Sequence, residues 1–154
     1  MDKTEIVTLI RNAKTGHKRW VENAISLAKG LPLDQSQVPV NATDCVFGQW
    51  YYSTGQDLKE YPAFRDIEKY HDALHKTYRD IFVLLFEEPI EKPSWLERLF
   101  GTSTHASEER QFIVREKLQL LEQQSRSIMK KLDELEDTIL GISVQTEQPQ
   151  DQQS

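Results

Sequence analysis

Three histidines and one cysteine in this chain are spaced so that they can meet at one point: His17, Cys45, His71 and His75. His71 and His75 stand four residues apart in "HDALH". On a helix that spacing points both rings from one face, with Cβ atoms about 5–6 Å apart. Cys45 is the only cysteine, so no internal disulfide is open to it. It is inert filler, a reactive thiol, or one ligand of a shared site. Taken singly, each residue has an ordinary reading. A histidine on an apolar face is a satisfied core residue, an i,i+4 pair is coincidence, and a buried cysteine is a small hydrophobe. Together they carry a different weight. Three imidazoles buried in one small bundle leave several ring nitrogens to satisfy and few polar core groups to do it. Three nitrogens and a thiolate are the ligand set of tetrahedral zinc, and one Zn2+ ion satisfies all of them. His105, the fourth histidine, falls in a linker and fits no pattern.

Positioning these groups requires helices. Ile6, Ile10, Ala13, His17, Trp20 and Ala24 step by four and three, one face of a first helix. Thr4 is the expected N-cap, with Glu5 in the first turn, and Gly30 with Leu31-Pro32 ends the helix. Residues 30–43, "GLPLDQSQVPVNAT", hold two prolines and no period, and form a connector. A short helix capped by Thr43 or Asp44 then runs through Cys45 to Ser53, where Gly55 follows. Ile67, His71, Leu74, Tyr78, Ile81 and Leu85 mark a long helix from Ala63 to Glu87, stopped by Pro89 and Pro93.

The last helix starts after Ser107 and carries Val114, Leu118, Leu121, Ser125, Ile128, Leu132, Leu135 and Ile139 at the same spacing up to Gly141. At about 33 residues, or ~50 Å, it should overhang partners of ~37 Å by two turns or more. The fold class expected is all-α: an antiparallel four-helix-type bundle with a short cysteine-bearing helix and an extended C-terminal helix. Residues 1–125 form the bundle, 126–142 the extension, and 143–154, "VQTEQPQDQQS" from Val144 on, a disordered polar tail.

Composition removes several classes. The net charge is -6, with 25 acids against 19 bases and no Lys/Arg cluster, which argues against nucleic acid. The longest apolar run, "IFVLLF" at 81–86, is far below the roughly 18 residues that span a bilayer, so no membrane partner is expected. The polar start "MDKTEIVTLI" lacks a signal core, and a single thiol fits a reducing cytoplasm.

The motifs "HKRW" at 17–20, "CVFGQWY" at 45–51 and "HDALH" at 71–75 resemble the signature of the chemoreceptor zinc-binding domain family. That signature is a His with Trp three residues on, then Cys-x-Leu/Phe-Gly-x-Trp, then His-x-x-x-His. The resemblance covers residues 1 to about 125. It implies zinc held by His17, Cys45, His71 and His75, with Trp20 and Trp50 as walls. Gly48 is read as allowing close backbone approach, and Glu68 and Asp72 as solvated charges or acceptors for an imidazole N–H.

Four protein ligands leave no open position for water, so no catalytic residue and no enzyme are expected. The resemblance also implies a role in chemotaxis or cyclic-di-GMP signalling, in which the domain controls a chemoreceptor or diguanylate cyclase in response to zinc or oxidants. This chain reads as a free-standing version, expected to act through a partner and to form a homodimer through its last helix. Cys45 is the expected control point, the softest ligand on the shortest and least tethered element. The competing reading is a structural module that zinc only staples, with the last helix as a dimerisation or docking handle. A di-iron carrier of hemerythrin type would need more histidines and bridging carboxylates.

Overall fold

The computed structural model describes residues 1–87 and 104–141. The expected tail at 143–154 and most of the linker before the last helix lie outside the described residues. The first helix, α1, spans Lys3–Ala28 and is capped by Asp2 rather than Thr4. Asp2 Oδ1 accepts the Glu5 N–H at 2.8 Å and Glu5 Oε2 accepts the Asp2 N–H at 3.0 Å, a reciprocal capping box. Thr4 falls inside the first turn, where its carbonyl accepts the Thr8 hydroxyl. At the other end Gly30 takes φ 82°. The Leu31 N–H then reaches Ser26 O and the Gly30 N–H reaches Leu27 O, the Schellman closure that only a left-handed residue permits.

The connector follows, and then α2, Val46–Tyr51, shorter than the helix expected to Ser53. Helix α3, Pro62–Phe82, has proline at its start, where the missing N–H costs nothing. A π-helical turn, Val83–Glu87, continues it. The last helix, α4, is Thr104–Leu140, beginning four residues earlier than expected and ending at Gly141. Among the described residues there is no strand.

Charge pairs fix the directions. Asp80 and Asp66 of α3 meet Lys117 and Lys131 of α4 at 3.0 and 3.5 Å, so α3 descends as α4 rises. Arg11 Nε lies 2.7 Å from Glu136, and His17 lies beside Ser125, so α1 also opposes α4. Helices α1 and α3 are therefore parallel to each other. The chain between them must travel back along the bundle, and that return carries Cys45 across the other helices.

The overhang expected of residues 126–142 is not found. Ile128, Leu132 and Leu135 are fully buried, and Ile139 is 5 % exposed. The reason is stagger. Arg11, in the third turn of α1, meets Glu136, while Asp66, in the first turns of α3, meets Lys131. Helix α1 thus reaches further along α4 than α3 does and covers its last turns. Comparing helix lengths alone misses this, because apolar periodicity carries no information on axial offset. The uncovered stripe that motivated dimerisation is packed within one chain. Glu136, buried but for 8 %, is held below its usual range by hydrogen bonds from Lys14 and Arg11 and ties these two helices together.

Candidate metal centre

Helix α3 presents both its histidines inward, since residues 67, 71, 74, 78 and 81 share its buried stripe and 75 adjoins it. His71 is fully buried and His75 is 4 % exposed. Their ring centroids lie 4.7 Å apart, nearly perpendicular. Cys45 arrives from the opposite side as the N-cap of α2. Its Sγ accepts the Gly48 N–H at 3.2 Å and lies 3.3 Å from His71 Nε2. One ligand atom from each of Cys45, His71 and His75 falls within 4.8 Å of the others. Tetrahedral zinc with bonds of about 2.0–2.3 Å sets its ligands ~3.3–3.8 Å apart, a modest contraction of this group.

His75 decides what the group can do. Its Nδ1 lies 2.8 Å from the Val40 carbonyl oxygen, which can only accept, so Nδ1 carries the proton. The lone pair is then on Nε2, which is buried without a hydrogen-bond partner. His71 Nδ1 is also buried and unpartnered. An orphaned buried lone pair is costly unless a cation takes it, and a carbonyl behind the far nitrogen is the usual support of a metal-ligating histidine. The donor set of one sulfur and imidazole nitrogens suits zinc.

Burial pushes the His71 imidazolium down to about 3, with the charges of His75 and His17 adding to it. Burial, then His75, takes His17 down to about 4, and burial lowers His75 as well. The rings are neutral at pH 7 with lone pairs free. Burial pushes the Cys45 thiol up against the opposing pull of nearby backbone N–H groups, of which Gly48 is the strongest. A bound cation reverses that order and holds the thiolate.

These shifts have a consequence for the metal-free protein. Unfolded histidine titrates near 6.5. Between that value and about 4, the unfolded chain binds protons at His17 and His71 that the folded chain refuses. Stability is then full above pH 7 and falls as the pH drops. From pH 7 to 5 the loss should reach about 2–4 kcal/mol, at up to about 1.4 kcal/mol per unit per histidine. Denaturant midpoints of chelator-treated protein at the two pH values check this, and equal midpoints would count against the buried neutral rings.

His17 is buried in the same core, 1 % exposed, but stands outside the group of three. Its Nε2 lies 3.0 Å from Ser125 Oγ. The Phe47 ring adjoins both histidines, with centroids 5.8 Å from His17 and 4.8 Å from His71. Trp20 does wall the site: its centroid is 4.5 Å from His75, and its Nε1–H donates to Pro39 O. Trp50 packs behind Phe47 and against Phe64. Glu68 and Asp72 are exposed, and the imidazole acceptor is the Val40 carbonyl instead of either acid. Gly48 permits the close approach expected of it: a Cβ there would lie 1.7 Å from Ala42 O. Helix α2 is not loosely tethered. Phe47 and Tyr51 are 1 % and 3 % exposed, and the Tyr51 hydroxyl donates to Phe64 O at 3.1 Å.

Residues 17–82 match the model of the chemoreceptor zinc-binding domain family. Over these residues the chain is similar to that family. The matched segment of the chemoreceptor zinc-binding domain begins at His17 and contains Cys45, His71 and His75. The family is a zinc-binding one, and the Cys/His/His group lies inside the match. No curated protein and no solved structure matches the chain. No helix among the described residues is long and apolar enough to cross a membrane.

Proposed function

We propose that this chain is a zinc-responsive regulator, with Zn2+ held by His17, Cys45, His71 and His75, that passes its state to a protein partner and catalyses no reaction. The observation that carries the zinc reading is the bare, buried His75 Nε2, its far nitrogen tied to Val40 O, beside the thiol of Cys45. The regulatory reading rests on how the connector meets the site. Three of its carbonyls are engaged there: Pro39 by Trp20, Val40 by His75, and Ala42 by the Cys45 thiol at 3.5 Å. Asn41 between them accepts from Arg79, one turn beyond His75. A change in ligation at Cys45 or His75 is therefore a change in the path of residues 38–45.

Zinc holds Cys45 as thiolate, the form that oxidants attack. A peroxide would transfer hydroxyl to sulfur as its O–O bond breaks and leave as hydroxide, the sulfur losing two electrons. The similarity to that family favours a chemoreceptor or a diguanylate cyclase as the protein that receives the signal.

A second reading has its own support. The anchoring of α2 by Phe47 and Tyr51 favours a slow, inert structural staple. Hydrogen exchange separates the two. A regulator should lose protection over residues 30–60 on zinc removal or Cys45 oxidation while the long helices stay protected. Protection lost first in 63–82 and 107–140, with 30–60 unchanged, would overturn the proposed order of events. Unreactive Cys45 with zinc exchange slower than hours would favour the staple.

A further inference from the structure

The last helix carries one polar residue in an otherwise apolar series. Leu121, Ile128, Leu132, Leu135 and Ile139 are buried, and Ser125 occupies the remaining position in that four-three spacing. Its hydroxyl reaches across to α1 and lies 3.0 Å from His17 Nε2. His17 is 1 % exposed and Ser125 is half-buried. His17 meanwhile stands outside the group formed by Cys45, His71 and His75.

We propose that Ser125 is a positioning residue that holds His17 in reserve: its hydroxyl donates to the His17 lone pair and keeps that ring out of the three-ligand cluster. Completing a four-ligand site then requires α1 to exchange a hydrogen bond to α4 for a bond to the metal. The inference rests on the reading of His17 as the fourth ligand. Ser125 thereby sets the affinity of the site from the opposite side of the bundle. It also makes the contact between α1 and α4 depend on metal occupancy. A neutral imidazole has one lone pair, so hydroxyl and metal compete for it. The opposite arrangement, in which His17 Nε2–H donates to Ser125, would orient the ring for the metal, and removing the hydroxyl would weaken binding.

The two arrangements therefore predict opposite signs. Zinc affinity is measured in reduced, untagged protein by competition with a chromophoric chelator. Ser125→Ala improves helix propensity slightly, so the variant is expected to fold. It should bind zinc about 2- to 13-fold more tightly, the equivalent of one hydrogen bond no longer given up. Ser125→Thr retains the hydroxyl and should restore the wild-type affinity. In a His17→Ala background, Ser125→Ala should have no effect. Unchanged or weaker binding by Ser125→Ala would overturn the proposal, as would the same gain in the His17→Ala background. A wild-type protein that binds no zinc, or a His17→Ala protein that binds as tightly as wild type, would instead refute the four-ligand reading on which the proposal rests.

Discussion

Gly48→Ala is expected to abolish zinc binding although residue 48 supplies no ligand. Alanine is the better helix former by about 1 kcal/mol, so propensity alone predicts stabilisation. The site reverses that sign. The added methyl would lie 1.7 Å from Ala42 O, 2.9 Å from Ala42 C and 3.4 Å from Cys45 Sγ. The nearest obstacle is main chain, which cannot rotate away, so α2 and residues 41–42 must separate. That separation moves Cys45, the N-cap of the same helix, and draws Val40 O from His75. A destabilisation on the order of 3 kcal/mol is expected from the overpacking. Gly30→Ala is the control. It has open space and strains only a φ of 82°, so it should cost about 1–2 kcal/mol and leave the zinc content intact. Zinc content and denaturant melts of the two variants check this. A Gly48→Ala protein with full zinc would show that the connector does not hold the site.

The second large effect is expected at His71. His71 lies within hydrogen-bond reach of Cys45 Sγ and next to His75, and it is fully buried. His71→Ala should lower the metal content from about one zinc per chain to near none, because only Cys45 and His75 of the cluster remain and His17 would still have to give up its contact with Ser125 to join them. His17→Ala should keep a weaker site, since the cluster of three is untouched. The ranking itself is the test. Equal losses in the two variants would mean that the grouping of Cys45, His71 and His75 has no energetic meaning. The metal-free His71→Ala protein should remain helical, with a cavity cost of about 2–4 kcal/mol.

How much of this could be read from the residues alone depends on what each residue reports. His71 and His75 were readable because a helix of fixed period turns i and i+4 to one side. The periodicity of α1 puts His17 on its buried face, but carries nothing that points to Ser125 as its partner. Ser125 appeared only as a break in an apolar stripe, and nothing local says which side chain faces it. The sequence puts Cys45 on a short helix but does not mark it as the N-cap. Sulfur is an unusual capping acceptor, and Thr43 and Asp44 are the common ones. The Val40 carbonyl that fixes the His75 tautomer has no signature at all, since every residue carries a carbonyl. Glu68 and Asp72 are the acceptors the sequence offers, as an alternative to solvated charges, because their charge is visible there. The covering of residues 126–140 was missed for a similar reason. It depends on the stagger set by Arg11 and Lys14 against Glu136, charges separated by more than 120 residues.

The central claim is that one metal ion sits between the Cys45 thiolate and the imidazoles of His71 and His75. Cobalt(II) substitution tests it most directly, because the spectrum reports both geometry and sulfur ligation. Untagged protein loaded with cobalt should show the intense visible bands of tetrahedral coordination together with a thiolate-to-metal charge-transfer band. Cys45→Ala should remove the charge-transfer band. A pale octahedral spectrum without that band in the wild-type protein, or a band that survives Cys45→Ala, would contradict the account.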